Sequence, residues 1–169
     1  MMIAKYCENY YNYSCNKKLI DWKHYMALPS DRCYLVSNKQ QKLLIDFLNK
    51  DGIIYKNINE EELTDIFYIE CWVGYDTGLP NIPTEWLVQD IDDDRVKIEY
   101  GLGVLPGWGG CDKYVSFNYI SKEDITSSRV FYVYTKKDGK RFDIPYVEEK
   151  SVSIDELLLV YEEFSRNNL

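Results

Sequence analysis

The sequence predicts an α+β fold in which helices pack against an antiparallel or mixed β-sheet and a helix closes the chain. Three observations support this fold class. Apolar residues recur at helical spacing near both ends of the chain, β-branched and aromatic residues fill its middle, and Asp138-Gly139 is a typical two-residue hairpin turn. Regular alternation of strands and helices is missing after Phe67, which disfavours a doubly wound fold.

Length and composition predict a single domain over residues 1–169. Hydrophobic residues make up 46% of the chain and aromatic residues 15%, so the protein can bury a core. No repeat, low-complexity tract or Pro/Gly/Ser-rich linker divides the sequence. The pattern is weakest in residues 1–30, for which we predict a helical N-terminal segment that is loosely attached to the domain.

The first part of the chain predicts helices, a short strand and a capped turn. Apolar residues at helical spacing predict a helix within 19–26, which Pro29 ends. A capping-box pattern followed by an apolar stripe predicts a helix over 38–50. Residues 53–55 are predicted to form a strand, and Asn59 caps a short helix whose glutamates favour its positive end.

The second part of the chain predicts mainly strands. We predict them over residues 67–75, 86–91, 95–100, 114–120, 129–137 and 140–147, the last two forming the hairpin around Asp138-Gly139. Ser153 and Glu156 make a capping box before an apolar stripe that continues to Phe164. This pattern predicts a terminal helix with one buried face.

Negative charge is concentrated between Asn59 and Glu99. This stretch holds twelve acidic residues and two basic ones, a balance of −10, whereas the whole chain carries −8. Such a segment is either a solvated surface or a surface that receives a basic partner. The net charge argues against a nucleic-acid partner, because phosphate binding needs clustered lysine and arginine.

Neither export nor membrane insertion is predicted. The N-terminus lacks a cationic start followed by an apolar run, and no long apolar stretch occurs elsewhere. Five cysteines, an odd number at wide spacing, fit neither a disulfide framework nor a structural zinc site. We therefore expect reduced, mostly buried thiols in a cytoplasmic protein.

No motif predicts an enzyme, a cofactor or a metal site. His24 is the only histidine, and Cys111 in its glycine-rich bend has no base nearby in the sequence, which disfavours a catalytic thiol. The aspartates after Gln89 lack the bend glycine and closing glutamate of a calcium loop. They are a solvated turn, a partner-facing turn or, as the least favoured reading, a metal site.

Residues 101–110 resemble a dinucleotide-binding turn only superficially. That turn requires a helix to begin at the glycines, and Pro106 with its neighbouring glycines disfavours one. Trp108, flanked by glycines, either fills the core or is an exposed contact anchor.

The hairpin turn carries a small cationic tip formed by Lys136, Lys137, Lys140 and Arg141. These residues either protect the hairpin from edge pairing or form salt bridges with an acidic neighbour, including a second copy of the chain.

A small, acidic, aromatic-rich α+β chain without an evident active site resembles the immunity proteins of bacterial toxin systems, among them those of contact-dependent inhibition. The residues that carry the resemblance are the acidic stretch 60–99, the interleaved aromatic residues Tyr75, Trp86 and Trp108, and the closing helix 153–164. The resemblance implies tight binding to a cognate toxin domain, often a basic nuclease, whose cleft is blocked by carboxylates in place of phosphates.

The predicted partner-binding residues combine carboxylates with rings. They are Glu60, Glu61, Glu62, Tyr75, Asp76, Asp90, Asp92, Asp93, Asp94 and Trp108. The aspartates from 90 to 94 are expected to attract the partner, the glutamates to add to the field, and Trp108 or Tyr75 to anchor the complex. The alternatives are a phage or mobile-element inhibitor of a host nucleic-acid enzyme, and a small hydrolase that uses carboxylates or Cys111. The sequence predicts no oligomeric state.

Overall fold

The computed structural model describes residues 2–15, 33–37, 46–50, 53–110 and 114–164. This part of the chain is mostly antiparallel β-structure with one C-terminal helix, so the predicted α+β class holds only in this coarser form. The chain divides into two compact units: unit 1 is Met1–Tyr68, Tyr132–Val147 and Glu163–Leu169, and unit 2 is Ile69–Phe131 and Glu148–Glu162. A single domain over residues 1–169 stays a prediction.

Twelve strands and one α-helix lie in the described residues. The strands are β1 (Met2–Tyr6), β2 (Asn9–Cys15), β3 (Cys33–Ser37), β4 (Leu48–Lys50), β5 (Ile53–Ile58), β6 (Asp65–Gly74), β7 (Glu85–Asp92), β8 (Arg95–Tyr100), β9 (Gly109–Gly110), β10 (Ser116–Ser121), β11 (Ser127–Lys137) and β12 (Lys140–Ser151), and the helix is α1 (Ile154–Phe164). Two short 3-10 turns occur at Glu60–Glu62 and Lys122–Asp124.

In unit 1, the strand order is β4-β5-β3-β2-β1-β6, and the ladders between these neighbours are antiparallel. Side chains that alternate along these strands point into one apolar cluster, whose buried members are Ala4, Tyr11, Tyr13, Leu35, Ile58, Leu63 and Ile66. The C-terminal part of β11 and the N-terminal part of β12 complete the unit with the predicted hairpin. Its turn residues, Asp138 and Gly139, have φ of 50° and 76°, which confirms the predicted type of turn.

The structure corrects the prediction for the N-terminal segment. Residues 2–15, within the segment 1–30 that we predicted to be helical and loosely attached, form β1 and β2. Cys7 and Glu8 connect these strands with φ of 46° and 61°, the left-handed conformation of a tight hairpin turn. The turn lacks the Asn-Gly or Asp-Gly pair that marks such hairpins in a sequence. The predicted helix within 19–26 lies outside the described residues.

The predicted helix 38–50 is wrong at its C-terminal end. Leu48–Lys50 form β4, which pairs with β5 from Leu48↔Tyr55 to Lys50↔Ile53. Ladder hydrogen bonds from β5 thus override the local helical pattern. Residues 38–45 of this prediction lie outside the described residues.

In unit 2, the strand order is β6-β7-β8-β10-β9, with antiparallel ladders between the neighbours. Trp86, Val88 and Ile91 of β7 are buried, and a bulge between Val88 and Asp90 shifts the alternation by one residue. Without that extra residue, Ile91 would turn towards solvent. The phenol of Tyr161 in α1 donates to the carbonyl oxygen of Gln89 inside the bulge at 2.9 Å.

The remaining strands and the helix predicted for unit 2 are present with bounds within two residues of the prediction, except β12, which continues to Ser151 rather than ending at residue 147. The acidic turn joins β7 to β8, and Asp93 at its centre has φ of 53°. The amide of Glu156 donates to Ser153 Oγ at 3.2 Å, as expected of a helix cap, and Leu157 of α1 is fully buried. In the described part of the chain, the one α-helix is too short to cross a membrane.

The cysteines depart from the prediction at one position. Cys33 is disulfide-bonded, so the expectation of reduced thiols throughout the chain is wrong there. Cys7 and Cys71 are free thiols, the first exposed and the second buried.

Candidate partner-binding surface

The net negative charge of the chain lies in unit 2. The sequence ranges of this unit contain sixteen acidic residues and six basic ones, a balance of −10, whereas the ranges of unit 1 balance to +2. The acidic residues of unit 2 come from both of its chain segments, including residues far beyond Glu99. The fold therefore collects more carboxylates in this unit than the continuous acidic stretch contains.

One end of unit 2 gathers carboxylates from three places in the sequence. The β7–β8 turn, the 3-10 turn at Lys122–Asp124 and the first turn of α1 meet at the Lys122 ammonium. Lys122 Nζ lies 3.0 Å from Asp94 Oδ1 and 3.3 Å from Asp155 Oδ1. We call this region the acidic end and define it by seven exposed residues: Asp92, Asp93, Asp94, Glu123, Asp124, Asp155 and Glu156.

Two cations lie among these seven carboxylates. Arg95 contacts Asp92 at 2.9 Å across the turn, and Lys122 bridges Asp94 and Asp155. Hydrogen bonds to Asp94 and Asp155 raise the pKa of Lys122, so this cation stays charged. Seven carboxylates against two cations leave about five negative charges at the acidic end.

Asp90 occupies a different environment from the other aspartates of the turn. In the β7–β8 ladder it lies opposite Lys97, and its Oδ1 accepts the amide hydrogen of Ile91 at 2.8 Å. Lys97 also contacts Glu99 at 2.8 Å and lies 5.0 Å from the centre of the Phe117 ring. Both aspartates are exposed, but Asp90 has a cation opposite it in the ladder, whereas Asp93 lies at the tip of the turn.

Trp86 brings the two predicted anchor residues together. Its indole Nε1 donates to the carbonyl oxygen of Tyr75 at 2.9 Å, and its ring lies 5.3 Å from that of Trp108. Trp86 is buried, whereas Tyr75 and Trp108 are half-buried. Trp108 therefore combines both predicted roles, since it packs on a core residue and keeps part of its ring at the surface.

We call Tyr75, Trp86 and Trp108 the aromatic group. The acidic end and the aromatic group lie at opposite ends of β8. Arg95 begins the strand beside the acidic turn, and Tyr100 ends it, with its ring 6.2 Å from that of Trp86. A strand of this length spans about 17 Å. This separation is smaller than the width of a protein interface of ordinary size, which covers about 800 Å² on each partner.

Asp76 is exposed in the loop between β6 and β7. Its Oδ1 accepts the amide hydrogen of Gly78 at 2.9 Å, an arrangement that shapes the turn. Asp76 follows directly after Tyr75, so it adjoins the aromatic group rather than the acidic end.

The predicted glutamates belong to unit 1. Asn59 caps their 3-10 turn as predicted: its side chain accepts the amide of Glu61, and Glu62 accepts the amide of Asn59. The Glu60 carboxylate accepts a hydrogen bond from Tyr13 at 3.0 Å and contacts Arg141 at 3.2 Å. Glu60 is therefore engaged within unit 1, whereas Glu61 and Glu62 are exposed.

The cationic hairpin tip contacts this same turn. Lys136 is buried and donates to the carbonyl oxygen of Glu60 at 2.7 Å. The amide of Gly139 donates to the Thr64 carbonyl at 2.8 Å, and that of Asp138 donates to Asp65 at 2.8 Å. The acidic neighbour that we considered for this tip is thus, for Arg141, Glu60 of the same chain, whereas Lys136 binds the backbone carbonyl of that residue and forms no salt bridge with its carboxylate.

Sequence reasoning missed four carboxylates of the acidic end: Glu123, Asp124, Asp155 and Glu156. The capping box at Ser153 indicated that Asp155 and Glu156 begin a helix. No local pattern indicated which strand end this helix start would meet. Pairing of Ser121 with Arg95 in the β8–β10 ladder brings the Lys122 turn to the aspartates.

The described residues contain no group of three or more His, Cys, Asp or Glu side chains arranged to hold a metal ion. His24 and Cys111, the residues considered for catalysis, lie outside the described ranges. Burial raises the pKa of Cys71 to about 12, so this thiol is protonated at neutral pH and is a poor nucleophile.

No protein-family model, curated protein or solved structure matches this chain.

Proposed function

We propose that this protein is an immunity protein that binds and neutralises a cognate toxin domain of the basic nuclease type through the surface of unit 2. The observation that supports the proposal is the charge of that unit, −10, with seven exposed carboxylates at the acidic end. Nucleases bind polyanions and therefore carry basic clefts, to which such a surface is complementary. The inhibitor acts by occupying the cleft and performs no chemistry of its own.

The two features of unit 2 have different roles in this mechanism. Long-range attraction to the acidic end raises the rate of encounter with a basic partner, by ten-fold or more at low ionic strength. The aromatic group around Trp86 and Trp108 offers apolar area that slows dissociation once water is excluded. Fast association and slow dissociation together give the affinity that neutralising a toxin inside its own producer requires.

The proposal includes the producer's cytoplasm as the compartment and a protein as the partner. A disulfide is rare in a reducing cytoplasm, so the bond at Cys33 opposes this part of the proposal.

A first experiment identifies the partner. The full chain, immobilised at low salt, is exposed to extract of the native cell, and the retained protein is purified and assayed as a nuclease. We expect a basic protein whose nuclease activity falls to background at a one-to-one ratio. Retention of a nucleic-acid enzyme that is not a toxin would instead favour the phage or mobile-element alternative.

A second experiment tests the role of the acidic end in that complex. We expect Asp93→Asn/Asp94→Asn to lower the association rate constant about three- to ten-fold at low salt, with little change in dissociation. Asparagine tolerates the left-handed conformation of position 93, so the turn is preserved. Stopped-flow binding at several salt concentrations measures both rates.

The matched control is Asp143→Asn/Glu163→Gln, which removes two exposed carboxylates from unit 1. It changes the net charge of the chain by the same amount and should alter association much less. Equal effects of the two variants, or a wild-type association rate that does not depend on salt, would reject the assignment of the acidic end.

A further inference from the structure

Among the described residues of unit 2, the segment 101–110 is a surface stretch of ten residues that carries no charge. Residues 101–110 read Gly-Leu-Gly-Val-Leu-Pro-Gly-Trp-Gly-Gly, within a unit whose balance is −10. Leu102 and Val104 in this loop are 85% and 60% exposed. Two large aliphatic side chains therefore stand in solvent, two residues apart, in the most acidic part of the protein.

The loop backbone is fixed although these side chains are exposed. Gly103 donates its amide to the Tyr114 carbonyl at 2.9 Å, and its own carbonyl accepts from Ser116 Oγ at 3.1 Å. The same hydroxyl accepts the amide of Leu105 at 3.2 Å. Ser116 is fully buried and Leu105 is also buried, so these hydrogen bonds attach the loop backbone to the interior of unit 2.

The Trp108 end of the loop is held as well. The amide of Trp108 donates to the Leu105 carbonyl at 3.1 Å, and its ring packs on Trp86. A loop that is ordered before binding loses less conformational entropy when a partner covers it. Leu102 and Val104 are thus presented on a preorganised backbone.

The other exposed aliphatic side chains of the described residues do not form such a pair in unit 2. Leu159 is 67% exposed but is the one such side chain on α1 in unit 2, and Ile144 is 84% exposed but belongs to unit 1. Apolar side chains that a partner covers and desolvates contribute much of the binding energy in protein interfaces, and Leu102 and Val104 form such a pair at the end of β8 opposite the acidic end.

We propose that Leu102 and Val104, next to the half-buried Trp108, are the apolar anchor of the interface and enter an apolar pocket of a basic protein. The inference rests on the proposed function and deepens it. Charge complementarity identifies the partner: the uncharged loop belongs to a unit of charge −10, so a protein that covers both the loop and the acidic end must offer an apolar pocket and, about one strand length away, a cationic surface. Trp108 fixes the loop through its packing on Trp86 and adds the exposed part of its ring to the contact that Leu102 and Val104 make.

The test compares two kinds of variant in binding to the purified basic protein retained by the full chain. Leu102→Gln/Val104→Thr leaves the net charge unchanged, so it should not alter association. We expect it to raise the dissociation rate constant about ten-fold or more. Leu159→Gln, the same change at another exposed leucine of unit 2, should leave both rate constants within about two-fold of wild type.

A second measurement identifies the contact directly. p-Benzoylphenylalanine replaces Leu102 or, as the control, Leu159 in the full chain, and the producing cells are irradiated. We expect position 102 to crosslink to a basic protein, at a peptide that contains apolar residues, and position 159 to give no such product. Absence of a crosslink from position 102, an acidic target, or equal crosslinking from both positions would overturn the proposal.

The outcomes separate this inference from the proposed function. Slower association of Asp93→Asn/Asp94→Asn together with unchanged dissociation of the loop variant would overturn the anchor and leave the proposed function standing. Faster dissociation of the loop variant without any effect of the aspartates would support the anchor and reject electrostatic attraction. If no basic protein is retained or crosslinked, both fail.

Discussion

Cys71 illustrates how burial alone sets the chemistry of a residue. Its side chain is 3% exposed in β6, and the cost of placing a thiolate there raises its pKa to about 12 from an ordinary value near 9. In the unfolded chain the same thiol ionises near its ordinary value. The proton is therefore released first by the unfolded state as pH rises.

This difference predicts a loss of stability at alkaline pH. The contribution of protonated Cys71 to the free energy of unfolding is fully present below about pH 9. It is lost as pH rises towards 12, at up to about 1.4 kcal/mol per pH unit. We expect the free energy of unfolding, measured by urea titration, to fall less steeply between pH 9 and 11 in Cys71→Ala than in wild type. Burial also raises the pKa of Tyr11 and Tyr13, so the free energy of unfolding of Cys71→Ala should still fall with pH above about pH 10.

Cys7→Ser provides the control for this prediction, because Cys7 is exposed in the β1–β2 turn. Below about pH 10, where the tyrosines remain protonated, the free energy of unfolding of this variant should fall with pH as it does in wild type. A wild-type slope in Cys71→Ala would show that another group causes the alkaline loss.

Among the secondary-structure elements, the sequence was enough to predict those whose turn or cap residues are characteristic of one conformation. Asp138-Gly139 specified its hairpin and Ser153 the start of α1, because each acts through the backbone within a few residues. The β1–β2 hairpin was missed because Cys7 and Glu8 adopt positive φ without the usual residues. Strand β4 was missed because its pairing with β5 is a tertiary interaction.

The hairpin turn also supports a quantitative prediction. Gly139 has φ of 76°, where a Cβ is strained, so Gly139→Ala should lower the free energy of unfolding by about 1 kcal/mol. Gly101 has an ordinary φ and open space around its Cβ position, so Gly101→Ala should change stability by less than about 0.5 kcal/mol. Urea unfolding of both variants measures the difference. Equal losses would show that the strain at position 139 is not decisive.

For the molecule as a whole, the candidate surface was only partly predictable. The acidic stretch in the sequence indicated Asp92, Asp93 and Asp94, which do lie in the acidic end. It gave no sign that Tyr13 and Arg141 engage Glu60, since these partners are distant in sequence. Exposure of Leu102 and Val104 was likewise hidden, because it depends on how Ser116 fixes the loop.

The uneven distribution of charge predicts how the protein responds to salt. Repulsion among the carboxylates of unit 2 opposes folding and is screened as ionic strength rises. We expect the unfolding temperature to increase by a few degrees between about 10 mM and about 300 mM NaCl, as measured by calorimetry. The increase should be smaller in Asp93→Asn/Asp94→Asn. An unfolding temperature that falls with salt would mean that favourable ion pairs outweigh the repulsion.

The contact between the hairpin turn and residues 64–65 has a consequence for biosynthesis. Asp65 and Asp138 are 73 residues apart, so the nascent chain cannot close this contact when the first strands leave the ribosome. At bacterial or eukaryotic elongation rates the delay is about 4 to 15 seconds. During that time Ile69–Phe131 is translated in full, and the final closure of unit 1 must wait for the segment Tyr132–Val147 that follows it.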